Sequence, residues 1–243
     1  MKFTYNAYKN LINSIREQEY EIANYHNYKA YDKAIILRHD VDFSLDRAAE
    51  FAILESSINV KSTYFILIRS EFYNPMSKKS LMNIYKILQC GHDVGLHFDE
   101  MSYSRNEIQE RGIESIIMNE VKLLSNVLEG YNVKSVSMHR PSKETLNADY
   151  KFDSLVNSYS KEFFNDFKYL SDSRMTWREN VEQVIKNKKY NRIQILTHPF
   201  WYKLKEKSRK EIIEEFLNSS ISDRYNILND NITDLDSILK ENM

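Results

Sequence analysis

The sequence predicts an α/β fold built on one parallel sheet, which is either an open wound sheet or a barrel. Short apolar runs alternate with longer amphipathic stretches along the chain, as strands alternate with helices in such folds. Neither a repeat of fixed period nor a linker rich in Gly, Ser or Pro interrupts the 243 residues, so we expect a single domain over residues 1–243. In both architectures ligands bind at the carboxyl ends of the strands, so polar clusters there are the first candidates for function.

The composition is that of an ordinary globular protein. Hydrophobic residues make up 42% of the chain and charged residues 28%, which excludes a disordered polyelectrolyte. The 34 Lys and Arg residues nearly balance the 35 Asp and Glu residues, so the net charge of -1 predicts no affinity for nucleic acid. No apolar run approaches the roughly 20 residues of a membrane-spanning helix. The composition leaves the oligomeric state open.

The single cysteine and the first residues of the chain bear on the compartment. Cys90 has no partner for an internal disulfide, which is typical of a reducing environment. The segment 1–6 lacks the apolar run of a secretory signal. We therefore expect a cytoplasmic location.

Six apolar runs are predicted to be strands. They are Ala34–Leu37, Val60–Ile68, Asp93–His97, Lys134–Met138, the weaker Tyr169–Leu170, and Ile193–Thr197. Together they define a core over residues 34–200. Helical extensions are expected at the N-terminus and, from about Lys205 onward, at the C-terminus.

The helices between these strands have recognisable ends. Ser44 is placed to cap one helix, and Pro75 opens another that Gly91 closes. The segment 104–107 has the Ser-x-x-Glu pattern of a capping box, which predicts a long helix that ends at Gly130.

Two acids follow the first strand. Because side chains alternate along an extended chain, Arg38, Asp40 and Asp42 share one face while His39 points the other way. Acids at this spacing suit a metal site, where one carboxylate ligates and its neighbour handles protons. A pair of solvated loop acids is the alternative. We expect His39 to be structural.

Three histidines stand at the ends of other strands. His97 ends the strand at 93–97, His139 directly follows 134–138, and His198 directly follows 193–197. Each alone is more often a structural residue, but repeated placement at the same end of a parallel sheet indicates a shared site. His92 stands at the entrance of its strand and is expected to be a structural turn residue.

These segments resemble the motifs of the polysaccharide deacetylase family, also known as carbohydrate esterase family four or the chitooligosaccharide deacetylase homology domain. The matching segments are Asp40-Val41-Asp42, Lys61-Ser62-Thr63-Tyr64-Phe65, Gly91-His92-Asp93-Val94-Gly95-Leu96-His97 and Leu196-Thr197-His198-Pro199. The resemblance spans residues 35–199. It implies a distorted (β/α) barrel of about six or seven parallel strands and a divalent metal, expected to be zinc.

The chain departs from the family pattern at two positions. The family places a second metal-binding His four residues after the first, where this chain has Met101, a poor ligand for such a cation. At the Arg position of the family's Arg-x-Pro motif this chain has His139. We expect His139 to replace the absent ligand, which makes Asp42, His97 and His139 the metal ligands. Asp99 is the alternative third ligand, and loss of the metal site is the remaining alternative.

The resemblance also implies roles for further residues. Asp40 would be the general base and His198 the general acid, so a bell-shaped pH profile is expected. Asp172 would orient His198, and Trp177 would form a wall of the acyl pocket. Arg140 would bind a substrate carboxylate or phosphate or tune Asp40, with an exposed salt bridge as the alternative.

The expected function is that of a metal-dependent carbohydrate N-deacetylase. Such a hydrolase removes an N-acyl group, acetyl in the family, from an amino sugar. Because a cytoplasmic chain would meet precursors and not finished polymers, we expect a precursor of a surface polysaccharide as substrate. The alternatives are a catalytically inactive carbohydrate-binding relative and a ring-amide hydrolase of the same superfamily.

Overall fold

The computed structural model describes residues 1–239. The strands in this range are β1 Glu21–Ala23, β2 Ala34–Val41, β3 Thr63–Leu67, β4 Asp93–Phe98, β5 Ser135–Met138, β6 Val156–Asn157, β7 Lys168–Ser171 and β8 Arg192–Thr197. The helices are α1 Tyr5–Glu17, α2 Leu45–Ser57, α3 Lys78–Gln89, α4 Arg105–Arg111, α5 Ile113–Val127, α6 Lys143–Ala148, α7 Lys161–Asn165, α8 Val181–Lys186, α9 Arg209–Asn229 and α10 Leu235–Ile238. Within residues 1–239, no helix is both long and apolar enough to cross a membrane.

The strands form one parallel sheet. Seven of them follow the order β6-β5-β4-β3-β2-β8-β7, and β1 pairs with the first half of β2. The sheet curls into part of a barrel, and within residues 1–239 no ladder joins β6 to β7. The expected distorted (β/α) barrel of six or seven parallel strands is therefore confirmed.

Strand β2 lies between β3 and β8 and is buried along its whole length. Its alternate residues enter two different hydrophobic clusters. Ile35 and Leu37 pack outward with the surrounding helices, whereas Ala34 and Ile36 pack into the barrel interior. Burial on both faces is the reason that this strand is a continuous apolar run.

The barrel interior is narrow beside Gly95 of β4. A Cβ atom added to Gly95 would lie 2.5 Å from the Phe65 ring and 2.6 Å from the Ser135 hydroxyl. Because real Cβ atoms do not approach so closely, only glycine fits this position of the motif that ends in His97.

The sequence pattern predicted one helix where the structure has two, and it did not predict two of the strands. The helix expected from 104 to 130 is two helices, α4 and α5, because Gly112 adopts a left-handed φ of 75° between them. Strands β1 and β6 have three and two residues, too few to show a period of two. The N-terminal extension thus holds a strand as well as a helix.

Candidate metal and catalytic site

The parallel sheet brings all five predicted acids and histidines of the site to its carboxyl edge. Asp40 is the second-to-last residue of β2, and Asp42 directly follows that strand. His97 lies near the end of β4. His139 and His198 directly follow β5 and β8. Segments far apart in the chain meet here because parallel strands end at the same edge.

Asp42, His97 and His139 form the closest group. Asp42 Oδ1 lies 3.3 Å from His97 Nε2 and 3.5 Å from His139 Nδ1, and the two ring nitrogens are 3.1 Å apart. One ligand atom from each residue lies within 4.8 Å of the others, as binding of a metal ion requires.

The donor set fits a divalent metal. One carboxylate and two imidazoles are the ligand types of zinc sites that keep positions open for water and substrate. Asp42 Oδ1 is buried and receives no hydrogen bond from the described residues, so it has a free lone pair for a cation. Burial and the neighbouring His97 lower the pKa of His139, although Asp42 opposes this. The neutral imidazole is the form that binds metals.

The other ring nitrogen of His97 is unusual for a metal-binding histidine. Such residues generally donate their second N–H to a carboxylate or a carbonyl. His97 Nδ1 is buried and has no hydrogen-bond partner in the described part of the chain. The His97 ring packs against the His139 ring, with 4.9 Å between the two centroids, and this contact orients His97 instead.

Asp99 does not join this group. Its carboxylate accepts a hydrogen bond from the Met101 amide at 3.1 Å and lies 3.4 Å from Arg140 Nη2. Of the two third ligands considered from the sequence, the structure therefore brings His139 to Asp42 and His97. Met101 is 73% exposed.

Arg38 holds Asp40 as a carboxylate. Arg38 is fully buried, and its Nη2 lies 2.7 Å from Asp40 Oδ2, while Ser137 and Ser158 accept hydrogen bonds from the same guanidinium. Burial by itself would raise the pKa of Asp40, but the charge of Arg38 holds that pKa below its usual value. The shared face of residues 38 and 40 was evident in the sequence, yet no role was assigned to Arg38.

Arg140 lies elsewhere. Its side chain is 72% exposed and contacts Asp99, whereas the cation paired with Asp40 is Arg38. The exposed ion pair is the alternative that the structure shows. Binding of a substrate anion by Arg140 stays a prediction.

His198 is oriented by Asp172. The His198 Nδ1 atom lies 2.6 Å from Asp172 Oδ1, and both oxygens of Asp172 accept the backbone N–H of His198 at 3.1 Å. The His198 Nε2 atom lies 3.8 Å from Asp42 Oδ2. Burial disfavours the imidazolium, but the charges of Asp172, Asp42 and Asp40 raise the pKa of His198 to about 9.

Trp177 is partly buried and packs against the main hydrophobic cluster. Its indole Nε1 is buried without a hydrogen-bond partner in the described residues. The assignment of Trp177 to an acyl pocket stays a prediction.

A cleft of about 860 Å³ lies outside this group of residues. It opens between the start of α2, the loop after β3 and helix α9, and its walls include Phe43, Phe72 and Phe216. None of the five acids and histidines described above lines it. The residues with catalytic chemistry are thus at the strand ends and not in this cleft.

Comparison with known proteins gave matches in structure only. No family model and no curated protein matches the chain. A family 4 carbohydrate esterase from Bacillus anthracis is 13% identical, with a TM-score of 0.44 over 88% of this chain and 86% of that one. A CE4 esterase from Streptococcus mutans is 16% identical, with a TM-score of 0.45 over 80% and 83% of the two chains.

A pseudoenzyme of the same CE4 family, also from Bacillus anthracis, matches as well. It is 14% identical, with a TM-score of 0.45 over 77% of this chain and 60% of that one. At TM-scores below 0.5, these matches say nothing about activity, which depends on the residues of the site. The strand-end motifs of the chain resemble those of the polysaccharide deacetylases. The solved structures named here belong to the same family, carbohydrate esterase family four.

Proposed function

We propose that this protein is a metal-dependent hydrolase that removes an N-acyl group, acetyl in the simplest case, from an amino sugar. One observation carries the proposal: an ionised carboxylate, Asp40, and a protonated imidazole, His198, flank a group of three residues that can bind a metal. Amide hydrolysis needs a base for water and an acid for the departing amine, both present at the same pH.

The base is Asp40. When bound, a divalent metal would polarise the amide carbonyl and make a nearby water more acidic. Asp40, kept ionised by Arg38, accepts the proton of that water as oxygen attacks the carbonyl carbon. A C–O bond forms at this step. Since Arg38 is itself held by two serines, the carboxylate cannot turn away from the site without breaking several hydrogen bonds.

The acid is His198. Its Nδ1–H donates to Asp172, so the other ring nitrogen, Nε2, faces the site and carries the transferable proton. Transfer of that proton to the amine nitrogen accompanies cleavage of the C–N bond and leaves a carboxylate and a free amino sugar. The raised pKa of His198 keeps the proton available at neutral pH.

The substrate and the compartment are further parts of the proposal. The motif resemblance supports an acylated amino sugar, and we propose a precursor of a surface polysaccharide. A lone free cysteine, Cys90, is compatible with the cytoplasmic location that we propose. Zinc is the proposed ion because it suits one carboxylate and two imidazoles.

One observation favours the inactive, carbohydrate-binding alternative. The position that supplies a metal ligand in the family is Met101 in this chain, and its side chain turns to solvent. This alternative keeps the barrel and the sugar-binding edge but has no turnover. It predicts that the protein binds no stoichiometric metal.

Metal content and acetate release together test the proposed function. Purified protein is loaded with zinc, dialysed, and assayed by mass spectrometry for metal and with N-acetylated amino sugars for acetate. We expect one bound zinc per chain and turnover in the parent protein, and loss of both in His139→Ala. The exposed His26 provides the matched control His26→Ala, which should retain both. Metal binding that His139→Ala leaves unchanged would contradict the ligand set.

A further inference from the structure

A second buried carboxylate packs against the face of strand β2 that is opposite to Asp40. Glu55, on α2, has no exposed surface and accepts hydrogen bonds from the hydroxyls of Tyr8, Ser62 and Tyr64. His39 Nε2 lies 3.1 Å from the same carboxylate. Burial alone would raise the pKa of Glu55, but its histidine neighbours and the Ser62 hydroxyl lower it to about 2. Glu55 is therefore ionised although it is far from solvent.

His39 connects this carboxylate to strand β8. Its Nδ1 lies 2.6 Å from the Thr197 hydroxyl, while its Nε2 faces Glu55. Because an ionised carboxylate can only accept a hydrogen bond, Nε2 donates to Glu55, and Nδ1 pairs with the Thr197 hydroxyl. The rings of Phe51 and Tyr64 pack against the imidazole at 5.2 and 4.5 Å and hold it in place.

The contact between His39 and Thr197 lies at the end of the ladder between β2 and β8. His39 and Thr197 are partners in the register of β2 and β8, and they form the last pair of that ladder. The next residues are Asp40 and His198, whose side chains point to the other face because side chains alternate along a strand. The contact between the two side chains thus joins the strands one residue before each reacting group.

The partners of Thr197 distinguish this contact from the rest of the cluster. Tyr8, Ser62 and Tyr64 bind Glu55 from α1 and from the start of β3, and they satisfy the carboxylate. Among residues 1–239, the one side-chain hydrogen bond of the Thr197 hydroxyl is to His39 and not to Glu55. Its hydrogen bond therefore links only the two strands that carry the proposed base and acid.

We propose that Glu55, His39 and Thr197 form a positioning relay that sets the separation of Asp40 and His198 across the site. Glu55 fixes the tautomer and orientation of His39, and His39 fixes the end of β8 relative to β2. All three are positioning residues, since none faces the site. This inference rests on the proposed function, in which Asp40 and His198 act on the same amide.

The relay is tested with a nearly isosteric substitution. Thr197→Val removes the hydroxyl but keeps the side-chain shape, and Thr197→Ser restores a hydroxyl. Because a misplacement of about 1 Å can lower a rate by about 100-fold, we expect kcat to fall about 10- to 100-fold in Thr197→Val, with KM changed less than about threefold. Thr197→Ser should recover most of the lost kcat.

Tyr64→Phe is the matched control. It removes a hydroxyl from the same buried carboxylate without touching the contact between His39 and Thr197. We expect it to lower the melting temperature and leave kcat within about twofold of the parent, because the strand ends stay in place. If Tyr64→Phe and Thr197→Val lower kcat equally, or if Thr197→Val lowers only the melting temperature, the cluster is merely structural and the relay is wrong.

Crystal structures of the parent and of Thr197→Val give a readout that does not need activity. The relay predicts a changed separation of the Asp40 carboxylate and the His198 ring in the variant. If the parent hydrolyses no acylated amino sugar but this separation changes, the proposed function fails and the relay stands. An unchanged separation overturns the relay, whatever the activity.

Discussion

The two faces of strand β2 each carry a buried carboxylate system, and the two are built differently. On the interior face, Asp40 is held by one cation, Arg38, and lies 3.6 Å from His97. On the outer face, Glu55 is surrounded by three hydroxyls and the His39 ring. Both carboxylates are held ionised by basic neighbours, Asp40 by Arg38 and Glu55 by its histidine neighbours.

The two carboxylates differ in how many lone pairs of their oxygens remain free to accept a proton or a hydrogen bond. Four donors converge on the two oxygens of Glu55, so little accepting capacity remains and the group is inert. A single guanidinium keeps Asp40 charged while leaving lone pairs that face the site. A carboxylate that keeps free lone pairs stays available for proton transfer, whereas one whose oxygens are saturated by donors serves to hold secondary-structure elements together.

Removal of the Asp40 charge should have the largest effect. Asp40→Asn keeps the side-chain shape but cannot accept a proton from water, so we expect acetate release to fall about 10²- to 10⁴-fold. Zinc binding should persist, because the proposed ligands are Asp42, His97 and His139. Rate measurements on the zinc-loaded protein test this. Turnover within about tenfold of the parent would mean that another group is the base.

Loss of the Arg38 cation should have the next largest effect, on stability. In Arg38→Met, Asp40 stays buried without its cation, and we expect the free energy of unfolding to fall by about 3–5 kcal/mol. Urea denaturation at neutral pH measures this. The double variant Arg38→Met/Asp40→Asn removes the unpaired charge and should regain part of the loss. A double variant less stable than Arg38→Met would show that Arg38 does not act through Asp40.

Alkaline pH should lower the stability of the metal-free protein through loss of the His198 charge. Because the folded pKa of His198, about 9, lies above its ordinary value of 6.5, its charge stabilises the folded metal-free protein. That contribution, on the order of 3 kcal/mol, is complete below about pH 6.5 and disappears as the pH rises through about 9. Unfolding of the parent and of His198→Gln in EDTA at pH 6, 8 and 10 tests this. A difference between the two proteins that stays constant with pH would contradict the assignment.

Neutralisation of the outer carboxylate should have the smallest effect on stability. Glu55→Gln keeps the shape of the side chain but turns an amide N–H toward hydroxyls that donate to the carboxylate. We expect unfolding to become easier by about 1–3 kcal/mol, with zinc affinity unchanged. Calorimetry and zinc titration test both parts. Weaker zinc binding would mean that the two faces of β2 are coupled at the metal ligands themselves.

Much of the fold followed from patterns that are local in sequence. Strands β2, β4, β5 and β8 are apolar runs ended by polar residues, and those ends are where the structure has the site. Helix α4 begins after Ser104 with the expected capping box. The break at Gly112 was missed because the helical pattern continues across it, and one residue in a left-handed conformation is enough to end a helix.

The site was foreseen less completely than the fold. Asp42, His97 and His198 were placed by their motifs, but His139 and Asp99 remained alternatives because both follow strands that end at the same edge. Arg140 was considered as a residue that binds a substrate anion or tunes Asp40, with an exposed salt bridge as the alternative. Its backbone instead takes a left-handed φ of 45°, and its side chain lies at the exposed rim against Asp99.

By itself, the sequence determined which side chains reach the carboxyl edge of the sheet, because alternation along a strand and the parallel order of strands are local rules. Only the tertiary structure decided which of them meet. The contacts of Asp42 with His139 and of His39 with Thr197 each join segments that are far apart in the chain. Such distances are set by the curl and register of the whole sheet, which no single segment encodes.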